Sequence, residues 1–148
     1  KVAKLLRASD AAPVALHAMA YLGQAKGKLV RTREIAQHYN LSEAHLAKVL
    51  NRLSKQGLVR AVRGPRGGLA LSKPAEKITL KEIYEAIEGP FEISRCMFGI
   101  PICDGSGCVL GEFFKKIAGY VEEMMADMKL SQICLSMQSK SEQKEGDE

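Results

Sequence analysis

Ser42-Glu43-Ala44-His45-Leu46-Ala47-Lys48-Val49-Leu50-Asn51-Arg52-Leu53-Ser54-Lys55 runs into Gln56-Gly57 and then into Leu58-Val59-Arg60-Ala61-Val62-Arg63-Gly64-Pro65-Arg66-Gly67-Gly68-Leu69-Ala70-Leu71. Leu46, Val49, Leu50 and Leu53 recur at helical spacing, which predicts a helix with one buried stripe. Ser42 can cap it, with Glu43 in the first turn beside the positive helix end. Ala44, Ala47, Lys48, Asn51 and Arg52 fall mainly on the other side, and Gln56-Gly57 ends the helix. Leu58–Arg63 and Leu69–Leu71 read as two short strands joined by Gly64–Gly68, a hairpin with arginine among glycines at its tip. Between Ala44 and Ala75 stand seven basic residues and no acid, a positive field that an ordinary mixed surface does not make. A helix with a small, basic outer face followed by a basic hairpin suits the DNA major groove and its flanking phosphates. Lys48, Asn51 and Arg52 are expected to face the groove, Ser42 to lie near a phosphate, and Arg63 and Arg66 to be hairpin contacts to phosphate or the minor groove.

Upstream, Pro13 suits a helix start, and an alanine-rich helix through Val14, Leu16, Ala18, Met19, Tyr21 and Leu22 follows, with His17 in it. Thr32 is expected to cap a second, short helix carrying Glu34, Ile35, Ala36 and Tyr39, and Asn40 to end it in a left-handed conformation. The few residues from there to Ser42 give helix-turn-helix spacing. Downstream, Thr79-Leu80-Lys81-Glu82 is a capping box that opens a helix ending at Gly89-Pro90. Phe91–Arg95 is a linker and Cys96–Cys108 a Gly/Pro-rich loop. A helix of about 20 residues follows, about 30 Å long. Its apolar stripe, Leu110, Phe114, Ile117, Val121, Met124 and Met128, is too long for a lone arm and is expected to pack on a second copy. A break near Lys129 precedes a short terminal helix. The division is 1–90 as a DNA-binding unit, 91–108 as the cysteine loop, 109–138 as dimerisation and terminal helices, and 139–148 as a polar tail expected to be disordered.

At 148 residues the chain can hold one domain core with an appended arm. Its net charge of +5 hides a division: residues 1–80 hold 15 basic and 4 acidic side chains, residues 81–148 hold 7 and 13. The basic half is where a polyanion would bind. No run approaches the roughly 18 apolar residues of a membrane span, and no secretory signal pattern is present, so a cytoplasmic location is expected. The start at Lys1 points to trimming of a residue or more. Only three histidines occur, His17, His38 and His45, none beside a plausible nucleophile, and no phosphate loop or dinucleotide fingerprint is present, which argues against an enzyme.

Cys96, Cys103 and Cys108 are separated by six and four residues, in a loop with no spaced histidine. Thiolates are soft ligands, and a flexible loop can fold three of them around one iron–sulfur cluster, two-iron or four-iron, with one iron left needing a fourth ligand. Thiols that bind nothing, or that pair as a redox disulfide, are the other reading. Cys134, beyond the long helix, is expected to be a small buried hydrophobe. A cluster-carrying scaffold or electron carrier would share the loop but would have no use for the acid-free helix and hairpin.

Arg33-Glu34-Ile35-Ala36, the hairpin Leu58–Gly68, Ile78-Thr79-Leu80-Lys81-Glu82-Ile83, Ala86-Ile87-Glu88-Gly89 and the three-cysteine loop before a long helix together resemble the Rrf-type (Rrf-two) winged-helix regulators of bacteria. That family includes regulators of iron–sulfur biogenesis, nitric-oxide response and cysteine metabolism. The resemblance implies a mainly α fold with a small β wing: a winged helix-turn-helix domain plus a long C-terminal dimerisation helix. It also implies a homodimer on palindromic double-stranded operator DNA; a repressor is the expectation, although the sign of regulation depends on where the operator lies relative to a promoter, and the hydropathy above gives no membrane partner. Ser42–Val49 is most similar to the nitric-oxide-sensing branch. The iron–sulfur biogenesis regulator has an acidic base-reading residue where Ala47 stands here, so its operator preference does not carry over. In the nitric-oxide-sensing branch the fourth cluster ligand is an N-terminal carboxylate of the partner chain, and Asp10 is the nearest candidate for it. Alignment through Ala15–Leu22 puts the family's ligand position on Pro13, which cannot bind metal, so Asp104, His17 and an external thiol or water stay open.

Overall fold

The computed structural model describes residues 8–93, 96, 104 and 106–145, with side chains to 138. Six α-helices, a two-stranded sheet and one 3₁₀ turn follow in the order α1 (Ala11–Gln24), α2 (Thr32–Tyr39), α3 (Glu43–Lys55), β1 (Val59–Val62), β2 (Gly68–Leu71), the 3₁₀ turn Ala75–Lys77, α4 (Leu80–Glu88), α5 (Val109–Asp127) and α6 (Leu130–Glu145).

Local chemistry sets most of these boundaries. The Ser42 hydroxyl accepts the His45 amide at 3.3 Å and starts α3. Thr79 and Glu82 make the reciprocal capping box at α4: the hydroxyl accepts the Glu82 amide at 3.1 Å and the carboxylate accepts the Thr79 amide at 2.8 Å. Asn40 ends α2 at φ +52°. Thr32 does not cap α2. It is the first helical residue, Arg31 holds the cap position, and the Glu34 carboxylate accepts the Arg31 amide at 2.6 Å. Helix α6 continues to Glu145, so the backbone of the polar stretch from Ser139 is helical where composition predicted no structure.

The core gathers one face of nearly every element: Ala15, Met19 and Leu22 from α1, Ile35 from α2, Leu46, Val49, Leu50 and Leu53 from α3, Ile83 and Ile87 from α4, and Leu130 from α6. Cys134 is buried among them, as expected, and its thiol lies 3.5 Å from the Ala20 carbonyl. Burial pushes the Cys134 thiol up from its ordinary range.

Strands β1 and β2 are antiparallel, with Val59 opposite Leu71 and Val62 opposite Gly68. Val30 adds a bridge to the free edge of β2: its amide donates to Leu69 at 2.9 Å and its carbonyl accepts from Leu69 at 2.8 Å. Two residues at the tip have to be small. A Cβ at position 67 would stand 2.1 Å from the Val62 carbonyl oxygen, and Gly64 turns the chain at φ +112°.

A second isolated bridge pairs Thr79 with Lys129: the Leu80 amide donates to Met128 at 2.9 Å and the Leu130 amide to Ile78 at 2.8 Å. It fastens the junction of α5 and α6 to the start of α4. The Lys81 ammonium meets Glu122 at 2.7 Å, so α5 lies along α4.

Candidate nucleic-acid interface and cysteine loop

The buried stripe of α3 leaves Ala44, Ala47, Lys48 and Asn51 exposed on its outer face. Ser42 is exposed at its start and Lys55 at its end. Arg60, Arg63 and Arg66 are exposed along the hairpin. The expected reading residues are therefore exposed on α3 and the hairpin, in a span that holds no acid between Ala44 and Ala75, and one of them is engaged elsewhere. The Arg52 guanidinium is turned off this face and donates to the Ile87 carbonyl at 2.5 Å, in the last turn of α4. Helical phase alone placed Arg52 beside Asn51. The neighbouring α4, which no local pattern reveals, takes its side chain.

Arg31 was missed by the sequence reading because it stands outside the acid-free run. Its guanidinium donates to the Pro65 carbonyl at 2.6 Å and holds the hairpin tip. Together with the Val30 bridge, this fixes the tip against the start of α2. The only sequence signal was a basic residue immediately before a helix start, where a side chain projects over the turn it precedes.

The cysteine loop leaves from the far end of α4. Gly89 ends the helix at φ +84°, and the Phe91 amide beyond it donates to the Glu85 carboxylate at 2.9 Å, which ties the start of the linker to α4. Cys96 and Cys108 are both half-buried. Cys108 occupies the N-cap of α5, and its sulfur accepts the Gly111 amide at 3.3 Å. Sulfur is a soft donor, which is what an iron–sulfur centre requires of its ligands. Cys103 lies outside the described residues. Among the described residues no set of three His, Cys, Asp or Glu side chains converges on one point. The two described thiols thus fit cluster ligation in chemistry.

The candidates for a fourth ligand separate. Asp10 is exposed next to Ser9, whose amide and hydroxyl donate to Glu88 at 2.8 and 2.5 Å. That contact brings Asp10 to the end of α4 from which the cysteine loop departs. Asp104 is engaged locally: the Ser106 amide and hydroxyl donate to it at 2.9 and 2.8 Å and hold its carboxyl below the usual carboxylate range. His17 lies 2.7 Å from the Pro13 carbonyl through Nδ1 and meets Tyr39 edge to face, at 5.1 Å between centroids. Its contacts are those of a packed surface histidine.

On α5 the apolar residues divide between two faces. Phe114, Val121 and Met125 are half-buried or buried on the side toward α4. Leu110, Phe113, Tyr120 and Met124 are exposed, Phe113 by 55% and Tyr120 by 64%.

A sequence profile of the Rrf2 family, described as iron-dependent transcriptional regulators, matches residues 8–135. The chain belongs to the Rrf2 family. A predicted HTH-type transcriptional regulator of Aquifex aeolicus (strain VF5) is 40% identical over 89 residues, which are 60% of this chain. The chain spans 62% of that relative's length, less than two thirds of it. Two solved Rrf2-type structures are similar over most of their length. CymR, the global cysteine regulator of B. subtilis, superposes with a TM-score of 0.75 at 26% identity, covering 88% of this chain and 98% of that one. IscR of T. potens gives 0.69 at 25%, covering 89% and 88%. The two-stranded hairpin of this chain is therefore the wing of a winged helix, and the family to which the chain belongs is one of transcriptional regulators. No helix among the described residues is long and apolar enough to cross a membrane.

Proposed function

We propose that this protein is a homodimeric repressor that binds palindromic double-stranded operator DNA under the control of an iron–sulfur cluster in its cysteine loop. The observation that carries the DNA part is the exposure of basic and polar residues on α3 and the wing: Lys48 and Asn51 toward the major groove, Ser42 near a phosphate, and Arg63 and Arg66 on the flanking backbone. Arg52 is left out of the reading set because its guanidinium is committed to α4. The dimer uses the outward stripe of α5. Leu110, Phe113, Ile117, Tyr120 and Met124 follow each other at alternating intervals of three and four, the spacing of a coiled-coil seam. Of the expected interface, Leu110, Met124 and Met128 are exposed, whereas Phe114, Ile117 and Val121 are half-buried within the chain.

Cys96, Cys103 and Cys108 would hold the cluster, with Asp10 as a fourth donor from a partner's N-terminal segment. Such a cluster, when bound, supplies a centre sensitive to nitric oxide, oxidant or iron–sulfur supply. The protein's own part is to present the Cys108 sulfur at the start of the dimer helix. The similarity to CymR supports a second reading, in which the same loop binds no cluster and its thiols report redox state or cysteine metabolism. Anaerobic purification with iron and sulfide analysis separates the two. Iron and sulfide together with salt-dependent operator binding support the first. An iron-free protein that binds its operator tightly leaves only the second.

A further inference from the structure

We propose that Arg52 is a positioning residue that conveys the state of the cysteine loop to the recognition helix α3. The inference rests on the reading of that loop as the sensing element and of α3 as the operator reader.

Three observations meet at the last turn of α4. First, Arg52 in the last turn of α3 donates to the Ile87 carbonyl at 2.5 Å. The final carbonyls of a helix lack intrahelical donors and carry the negative end of its dipole, so a cation there is favoured. The last turn of α4 holds no basic residue of its own. Arg52 supplies that charge from another helix, in a charge-assisted bond of fixed direction. Second, the Phe91 amide donates to the Glu85 carboxylate at 2.9 Å, so the linker to Cys96 is tied to the side of α4 at its start. Third, Ser9 donates twice to Glu88, which attaches the segment carrying Asp10 to the same turn. The two chain segments that carry candidate cluster ligands thus join α4 within four residues of the carbonyl that Arg52 grips. Val49, Leu50 and Leu53 pack with Ile83 and Ile87 in one core, so α3 and α4 are already in contact. Arg52 adds direction to a contact that is otherwise apolar. A displacement of the last turn of α4 moves the Ile87 carbonyl and re-aims the C-terminal turn of α3. Because two half-sites must be met at once, a small re-aiming of each α3 changes operator affinity.

The experiment measures fluorescence anisotropy on an operator duplex selected from a random library by the parent protein. The parent, Arg52→Ala, Cys103→Ala and the double variant are titrated anaerobically at several salt concentrations. The parent and Cys103→Ala are expected to differ by at least about tenfold. Arg52→Ala is expected to shrink that ratio to below about threefold with an unchanged salt slope, and Arg52→Lys to restore part of it. A salt slope lower by about one with the ratio intact would make Arg52 a phosphate contact and overturn the proposal. An equal loss in both cysteine states at constant slope would make it a brace only, and overturns it too. If the parent and Cys103→Ala bind equally, the sensing role of the loop falls. The proposal that Arg52 conveys the loop's state falls with it, and this outcome is told apart from a failure of Arg52 alone because there the parent and Cys103→Ala still differ.

Discussion

A Cβ at Gly23 would stand 2.6 Å from the sulfur of Cys134, so the first and last helices of the domain approach each other at a distance that only this pair of residues allows. Gly23→Ala gains helix propensity of about 1 kcal/mol but overpacks the contact, at a cost of about 1–3 kcal/mol. Alone it should lower stability to urea. In a Cys134→Ala background the same change should become neutral or stabilising. Equal effects in the two backgrounds would show that the sulfur is not what the alanine meets.

Burial raises both the Cys134 thiol and, further along the same interface, the Tyr39 hydroxyl. A raised acid is held neutral by the fold, so its stabilisation is whole below the unfolded value and lost as pH climbs through the folded one. The domain should therefore weaken on the alkaline side, beginning above about pH 8.5 with the thiol and continuing near pH 10 with the phenol. Melting temperatures of the parent and Cys134→Ala should separate less as pH rises above that point. A difference that stays constant to pH 10 refutes the thiol's part.

At Glu82 the balance runs the other way. Burial pushes its carboxyl up, but the hydrogen bonds from Lys73 and Thr79 and the Lys73 charge outweigh burial and hold it below the ordinary 4.5. Its stabilisation is present above that value and disappears as pH falls through the lower folded one. The pair with Lys73 is more than a third exposed, so after solvent screening it contributes under about 1 kcal/mol. Glu82→Gln should lower the melting temperature at pH 7 and match the parent below about pH 3.

Phe113→Asp and Tyr120→Asp should give monomers that remain folded in sedimentation, because both side chains are exposed on the outward stripe. Phe114→Asp should instead reduce folding stability, because it charges the face packed toward the chain's own α4 and linker. Dimers from the first two variants would move the interface off this stripe.

Arg66→Ala should weaken operator binding and flatten its salt slope by about one unit. Arg31→Ala, which releases the Pro65 carbonyl and with it the wing tip, should weaken binding with a smaller change in slope. Unchanged affinity in both would remove the wing from the account.

Elements with a strong local code were legible in the chain: the α3 stripe, the Thr79 box, the glycine-bound hairpin and the break at Lys129. The side chains whose surroundings no local pattern gives share one cause. On α5 the apolar positions are dense enough that 110-114-117-121 and 110-113-117-120 both keep helical spacing, and only the packing of α4 decides which set turns inward. Arg52 and Arg31 have long side chains whose ends settle on carbonyls distant in sequence, Ile87 and Pro65. Periodicity describes where a Cβ points. It does not say where a guanidinium six bonds away finds its acceptor.

The Thr79–Lys129 bridge makes the chain from one to the other a closed circuit that contains α4, the cysteine loop and α5. Its pinned point lies at one end of a helix of 19 residues, and Cys108 lies at the other, about 28 Å away. Helix α5 is in that sense a lever with its fulcrum at the bridge. A swing of about 5° carries the Cys108 end through about 2.5 Å, roughly the size of a metal–sulfur bond, while the fulcrum stays fixed.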